Sequence, residues 1–200
     1  MALFRLSPPS EVPTFVRGDG VFLRPAEMRD FEQWSSLRER SRDFLTPWEP
    51  IWPTDDLTRS SFRRRIRAYA EEIEGDEAYP FLIFREDETL VGGLTIGQVR
   101  RGVSQTATLG YWMGHPYAGR GYMSRAVRAA AHFTFGPLRL HRLEAACLGH
   151  NIASIRVLER VGFSREGYAR AYLRINGRWQ DHNLYALLES DPIIVPHRGF

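Results

Sequence analysis

The chain has 200 residues, of which 43% are hydrophobic and 26% are charged, and its formal net charge at pH 7 is +3. This length supports one domain with a substantial core, and the single cysteine, Cys147, excludes a disulfide framework and a thiolate metal cluster. No apolar run reaches the ~18–20 residues that span a bilayer, and the N-terminus lacks the apolar segment of a signal peptide. We therefore expect a cytoplasmic protein without a membrane partner.

The distribution of proline, glycine and apolar residues predicts the domain organisation. Residues 1–19 contain three prolines and lead into a Gly-Asp-Gly turn, which predicts an extended N-terminal arm. One domain is predicted over residues 20–190, followed by an apolar tail over residues 191–200. No internal repeat, linker or low-complexity segment divides this domain.

Hydrophobic periodicity predicts strands and helices between residues 21 and 188. The early strands are joined by tight turns and the later ones by helices, so we expect one mixed, mostly antiparallel sheet with helices on its faces, an α+β fold in α/β/α layers. Residues 41–57, rich in proline and tryptophan, are predicted to be irregular. Strands are predicted over residues 21–24, 80–84, 90–99, 104–113, 143–148, 164–174 and 179–188, and helices from residue 28 and over 57–74, 122–135 and 151–162.

Two glycine-containing pairs predict local backbone features. Gly92-Gly93 lies inside a predicted strand and indicates a bulge or a close backbone approach. Asn176-Gly177 separates the last two predicted strands and is typical of a tight hairpin turn.

The segment from Tyr111 to Arg125 joins an aromatic strand, a glycine-punctuated loop and the start of a helix. The loop's backbone N–H groups and the positive end of the helix dipole converge on one spot, which suits a phosphate or pyrophosphate. The loop has neither the Gly-Lys-Ser/Thr of a nucleotide-binding P-loop nor the G-x-G-x-x-G of a dinucleotide fold. Taken alone, it is also compatible with a tight turn that merely enters a helix.

A second pattern follows in residues 151–163, which read N-x-x-S-x-R-V-L-E-x-x-G-F and begin with Asn151, a candidate helix N-cap. Together with the glycine loop, this pattern resembles the GNAT acetyltransferase superfamily. Within it, the pattern is similar to the branch of ribosomal-protein-alanine N-acetyltransferases. Residues 45–50 and 167–182 are similar to the RimJ type in that branch, so the resemblance covers about residues 20–190.

This resemblance implies a GNAT fold, acetyl-CoA as cosubstrate and a set of site residues. One backbone set would pair with the pantetheine arm of acetyl-CoA, and a second set would hold its pyrophosphate through N–H groups. Asn151 would contact the pantetheine or cap the site, and Ser154 would lie near the thioester sulfur. The pantetheine set is Trp112, Met113 and Gly114, and the pyrophosphate set is Gly119, Arg120, Gly121, Tyr122, Met123 and Ser124.

Three positions depart from the family pattern. Ala118 stands where the family loop usually begins with Gln or Arg, and Met123 stands where Gly or Ala is common. Backbone donors survive both changes. Leu158 occupies the position of a tyrosine that many members use as general acid, so Ser154 is the substitute acid that the resemblance implies.

Acetyl transfer to an amine needs a neutral amine, a donor to the oxygen that gains negative charge, and an acid for the leaving thiolate. An α-amine has a pKa of ~7.7–8.0 and a lysine side chain ~10.4, so deprotonating lysine at pH 7 costs roughly 3–4 kcal/mol more. No unambiguous base is evident, which favours an α-amine. A backbone N–H near Met113 is the candidate oxyanion donor. Glu49 is the candidate base and ammonium binder, with a surface carboxylate as the alternative.

The predicted function is an acetyl-CoA-dependent Nα-acetyltransferase that acts on the N-terminal Ala or Ser of a ribosomal or similar protein, by direct attack in a ternary complex. Trp48 and Trp52 would wall the acceptor groove, and core aromatics are the alternative. The histidines show no ligand spacing, so we expect no metal. The sequence leaves monomer, homodimer and association with the ribosome open.

Two other functions remain as alternatives. An enzyme of the same fold acting on a small amine, such as an antibiotic or a polyamine, is favoured if acidic residues line the groove. A ribosome-associated RNA-binding module without enzymatic activity requires Arg63, Arg64, Arg65 and Arg67 to form one basic face.

Overall fold

A computed structural model describes residue 12 and residues 14–195 of the chain. In this described part, eight strands and five α-helices form one domain. The strands are β1 (Val16–Arg17), β2 (Val21–Arg24), β3 (Tyr79–Arg85), β4 (Leu90–Arg100), β5 (Thr106–Met113), β6 (Arg142–Leu148), β7 (Ser164–Ile175) and β8 (Arg178–Leu188), and the helices are α1 (Phe31–Arg40), α2 (Arg42–Leu45), α3 (Arg59–Glu74), α4 (Tyr122–Phe135) and α5 (Ile152–Val161).

All eight strands form a single sheet in the order β1-β2-β3-β4-β5-β6-β8-β7. Neighbouring strands are antiparallel except β5 and β6, which are parallel. The α+β fold class predicted from the sequence, with a mixed and mostly antiparallel sheet, is therefore confirmed.

Helices cover both faces of the sheet, and the alternation along β3 shows this directly. Phe81 and Ile83 belong to the larger core cluster, which includes the inner face of α4. Leu82 and Phe84 point the other way, into a second cluster with Trp34 of α1 and residues of α3. Because successive side chains of a strand lie on opposite faces, α4 and α5 lie on one face and α1 and α3 on the other.

Several element boundaries match the sequence closely. The predicted helix over residues 122–135 is α4, which begins after Gly121 and ends at Gly136. The Asn176-Gly177 turn joins β7 to β8, with positive φ at both residues, 45° and 77°. This is the backbone that an Asn-Gly hairpin turn adopts.

One part of the sequence-based assignment is wrong. Residues 41–57, predicted to be irregular, contain α2 and a 3₁₀ helix over Thr46–Trp48. The predicted N-terminal arm includes β1, whose Val16 is buried against the sheet. Residues 1–11 and 13 of the arm, and residues 196–200 of the tail, lie outside the described residues.

The Gly92-Gly93 prediction of a close backbone approach is confirmed. A Cβ on Gly93 would lie 2.3 Å from the indole Nε1 of Trp112, and one on Gly92 would lie 2.5 Å from the Trp112 carbonyl oxygen. A bulge at Val91 also shifts the register between β3 and β4, since Ile83 pairs with Gly92 and Phe84 with Leu90. Glycine here lets Trp112 lie flat across β4.

Candidate active site

The sheet splits between β5 and β6. Their parallel pairing ends at Leu109 and Ala145, although β5 continues to Met113 and β6 to Leu148. Beyond the last pair, the two strands leave an open edge on β5. Such an edge carries unpaired N–H and C=O groups that can pair with an extended ligand.

Hydrogen-bond alternation shows which groups of β5 face this opening. The N–H of Gly114 donates to the Val91 carbonyl at 2.8 Å, on the β4 side. In an antiparallel pair the direction alternates from residue to residue, so the N–H and C=O groups of Met113 and Tyr111 point toward β6. Of the residues predicted to bind pantetheine, Met113 therefore has its backbone groups at the open edge, whereas the amide of Gly114 already donates to the Val91 carbonyl.

The glycine loop presents its amides to one spot at the start of α4. Gly119 and Gly121 have φ of 75° and 79°, a conformation that glycine adopts without steric cost. Within residues 14–195 the amides of residues 119–124, the predicted pyrophosphate set, have no backbone acceptor. Their position at the N-terminus of a 14-residue helix suits an anion. The chain's own residues thus fit a pyrophosphate group.

Ser154 faces β5 from the first turn of α5. Asn151 caps this helix, and its side-chain oxygen accepts from the Ser154 amide at 3.1 Å. The Ser154 hydroxyl lies 2.9 Å from the hydroxyl of Tyr111. Burial raises the pKa of the Tyr111 phenol well above its usual range. The sequence analysis assigned Ser154 but not Tyr111, whose hydroxyl the split in the sheet brings to the same place.

Cys147 lies closer to this pair than the sequence suggested. The thiol is buried on β6, and burial raises its pKa, while the Ser154 hydroxyl partly offsets that effect. A thiol with a raised pKa carries little of the nucleophilic thiolate at neutral pH. Cys147 is therefore poorly suited to act as a nucleophile at neutral pH.

Glu49 and Trp52 meet at Arg38 on α1. The Arg38 guanidinium donates to both carboxylate oxygens of Glu49, at 2.7 and 2.8 Å, and the Trp52 indole N–H donates to one of them at 2.7 Å. The same guanidinium lies 4.0 Å from the centroid of a Trp52 ring and 4.9 Å from that of Trp112. The predicted base is thus one half of a tight ion pair.

A groove of about 310 Å³ opens beside this ion pair, between the sheet and helices α1 and α3. We call it the acceptor groove. Its lining comes from the middle strands, from both helices and from the segment after α2. It includes Arg38, Glu49, Arg65, Thr95, Gly110 and Trp112. Glu49 is the only carboxylate among the described residues that line it.

The segment around Trp48 is held from two directions. The Trp48 ring contacts the His150 ring, with 5.4 Å between centroids, across the split in the sheet. The amide of Asn176, at the tip of the β7–β8 hairpin, donates to the Glu49 carbonyl at 2.8 Å. The segment that carries Glu49 and the β7–β8 hairpin are therefore in contact.

Arg38 is the main residue that sequence reasoning missed. It follows Trp34 by four positions and so continues the inner face of α1. An arginine on a predicted apolar face was the available signal, because such a residue must find a buried partner.

Two negative findings concern the described residues. No group of three His, Cys, Asp or Glu side chains within them could hold a metal ion. None of the helices in the same part of the chain is both long and apolar enough to cross a membrane.

Comparison with known proteins identifies the family. Residues 21–164 match the model of the acetyltransferase (GNAT) domain. The chain belongs to the GNAT acetyltransferase family. It is accordingly an N-acetyltransferase, and acetyl-CoA is its cosubstrate, as the sequence predicted.

The relatives of this GNAT chain include enzymes that modify ribosomal proteins. It is 40% identical to the probable N-acetyltransferase YjcK of Bacillus subtilis, over 88% of this chain and 98% of YjcK. It is 33% identical to the [ribosomal protein uS5]-alanine N-acetyltransferase of Escherichia coli, over 86% of this chain and 90% of the relative. Its fold matches Mycobacterium smegmatis RimJ, solved in complex with CoA-disulfide, with a TM-score of 0.81 and 34% identity over 87% of this chain and 85% of RimJ. The predicted resemblance to the RimJ branch is confirmed.

Proposed function

We propose that this GNAT enzyme acetylates the N-terminal α-amine of a protein, with the N-terminal Ala or Ser of a ribosomal or similar cytoplasmic protein as acceptor. The E. coli relative that modifies an alanine of protein uS5 supports this class of acceptor. The proposal of an α-amine as acceptor rests on the hydrogen bonds that Glu49 makes. Both of its oxygens already hold Arg38, so the groove offers no free carboxylate to deprotonate a lysine.

On the donor side, this chain's backbone binds acetyl-CoA, which supplies the activated thioester. The amides of residues 119–124 bind the pyrophosphate, and the free edge of β5 at Tyr111 and Met113 pairs with the pantetheine arm. This arrangement directs the thioester toward Ser154, which lies beside Tyr111. The Met113 carbonyl takes part in the pairing with the pantetheine arm, and the Met113 N–H donates to the thioester oxygen as negative charge develops on it.

On the acceptor side, a neutral amine attacks the thioester carbon directly. The new C–N bond forms as the C–S bond breaks, and no enzyme group is acetylated. Ser154 donates its hydroxyl proton to the departing sulfur, and the attacking nitrogen releases one proton to water as the amide forms. Ser154 then regains a proton from water through Tyr111. Glu49 binds the incoming ammonium, which loses its proton to water before attack. An α-amine, with a pKa of ~7.7–8.0, makes this loss easy near neutral pH.

Neither alternative gains support from the structure. A polycationic amine needs an acidic groove, but the one carboxylate that lines this groove is bonded to Arg38, and Arg65 adds a second cation. The RNA-binding alternative needs a free basic face on α3, but Arg64 and Arg65 are paired with Asp55 and Asp56.

The test is an acceptor panel measured by thiol release. The pure protein and acetyl-CoA are incubated with peptides that have free N-terminal Ala or Ser, with Nα-blocked lysine peptides, and with polyamines and aminoglycosides. We expect acetylation of the free N-termini, with kcat/KM at least about 100-fold above that of the lysine peptides, since the lysine amine is charged at pH 7. Transfer only to small amines would overturn the proposal.

A further inference from the structure

The acceptor groove has a floor made of three strands in register. Pro80, Thr95 and Gly110 are consecutive cross-strand partners on β3, β4 and β5. A Cβ on Gly110 would meet no atom within 4 Å, so the floor is open above β5. The groove therefore runs across the strands, from the open edge of β5 toward β3.

The width of this floor sets how much of an acceptor it can hold. Neighbouring strands lie about 4.8 Å apart, so β5 and β3 are roughly 10 Å apart. An extended peptide advances about 3.3 Å per residue. The groove thus matches roughly three residues of extended chain, with the first at β5.

Arg38 lies at the β5 end of the groove and has one hydrogen-bond donor without a partner in the described part of the chain. Its side chain is 9% exposed, and its two terminal nitrogens are bonded to Glu49. Its Nε–H is buried and has no partner among the described residues. A buried guanidinium N–H without an acceptor is costly, and Arg38 is one of the residues that line the groove.

The neighbouring Glu49 carboxylate can accept one further hydrogen bond. A carboxylate offers about four acceptor positions, and Arg38 and Trp52 use three of them. The pair thus presents one acceptor and one donor at the same end of the groove. An α-amine and the first peptide carbonyl offer the matching donor and acceptor within one residue, since both are bonded to the same Cα.

We propose that the Arg38–Glu49 pair recognises the α-amine and the first peptide carbonyl of the acceptor together, and that the groove over Gly110, Thr95 and Pro80 holds its first three residues. This inference rests on the proposed function and identifies what selects the acceptor. Arg38 acts as a positioning residue: its Nε–H donates to the carbonyl oxygen of acceptor residue 1, while Glu49 accepts from the amine. A lysine ε-amine has no carbonyl at that distance and cannot satisfy both.

The experiment compares an Ala-led pentapeptide with its trans-alkene isostere, in which C=C replaces the first peptide bond and removes that carbonyl. With the native enzyme we expect kcat/KM to fall about tenfold for the isostere, the loss of one buried hydrogen bond. With Arg38→Lys, we expect the KM for the pentapeptide to rise about tenfold and the ratio of kcat/KM between pentapeptide and isostere to fall about tenfold from its native value. Any difference in amine pKa between the acceptors is the same for both enzymes and cancels in this comparison.

Arg24→Lys is the matched control. Arg24 also donates to both oxygens of a carboxylate, Asp30, and lies 4.3 Å from a Phe84 ring centroid, but it does not line the groove. We expect it to leave the ratio between peptide and isostere unchanged. A length series from alanine amide to the pentapeptide should gain kcat/KM up to the third residue and then level off.

The outcomes separate this inference from the proposed function. Efficient acetylation of peptide and isostere alike by the native enzyme, or no gain with peptide length, would overturn the inference and leave the Nα-acetyltransferase intact. Failure to acetylate any peptide would overturn the proposed function itself.

Discussion

The hydroxyls of Tyr111 and Ser154, 2.9 Å apart, have different parts in the proposed reaction. Because burial raises the pKa of Tyr111, the phenol keeps its proton at neutral and mildly alkaline pH. In the proposed reaction, this phenol donates to the Ser154 oxygen, so that the serine hydrogen is free for the departing sulfur. Ser154 is thus the acid, and Tyr111 orients it and returns its proton.

Removing the serine hydroxyl should slow the chemistry more than the binding of the donor. We expect Ser154→Ala to lower kcat about 100-fold, in the range of a lost general acid, and to change the KM for acetyl-CoA by less than about twofold. Tyr111→Phe should cost less, about tenfold, since the acid itself remains. Steady-state kinetics against both substrates measure these effects. An unchanged kcat in Ser154→Ala would show that another group protonates the sulfur.

At the scale of an element, α5 depends on its cap to place Ser154. Asn151 accepts from the Ser154 amide, and Thr58 caps α3 in the same way through the Ser61 amide at 3.2 Å. We expect Asn151→Ala and Thr58→Ala each to lower the free energy of unfolding by about 1 kcal/mol. Only Asn151→Ala should also lower kcat, because its helix end carries the acid. Chemical denaturation and kinetics on the two variants test this. Equal turnover in both would mean that the cap has no catalytic consequence.

Helix α4 and the Asn176-Gly177 turn could be predicted because their signals are local. Glycine bounds the helix on both sides, and the turn requires positive φ at consecutive residues. The helices within residues 41–57 could not be predicted in this way. Helix α2 is only four residues long, and tertiary contacts hold it: Leu45 is buried, and Ser41 next to it accepts from the His115 amide at 2.9 Å.

The candidate site also has one part that could be predicted from local sequence and one part that could not. The donor side follows from local motifs, because the glycine loop and the Asn151 cap are each contiguous in sequence. The acceptor side does not, since Arg38 and Glu49 come from separate elements and are paired only in the tertiary structure. The sequence identified Glu49 but not its partner, and the partner changes what Glu49 can do.

At the scale of the whole molecule, the split between β5 and β6 places the donor loop and the acceptor segment on opposite sides of one opening. The β7–β8 hairpin closes the acceptor side, because the Asn176 amide holds the Glu49 carbonyl. A Cβ on Gly177 would also lie 3.0 Å from the Ile51 side chain. The hairpin therefore holds the segment that carries Glu49, the proposed acceptor-binding residue.

This arrangement predicts that damage to the hairpin turn affects one substrate only. Gly177 has φ of 77°, so Gly177→Ala should lower the free energy of unfolding by about 1–2 kcal/mol and shift the backbone that holds Glu49. Gly102→Ala is the matched control: its φ is 70°, and a Cβ there meets nothing within 4 Å. We expect a similar loss of stability in both variants. Only Gly177→Ala should raise the KM for the acceptor peptide. The expected rise is about three- to tenfold, which corresponds to weakening the contact between Glu49 and the amine by one modest hydrogen bond. The KM of this variant for acetyl-CoA should stay at the native value. A parallel rise in both KM values would show that the hairpin supports the whole site, and an unchanged acceptor KM would show that Glu49 keeps its place without the turn.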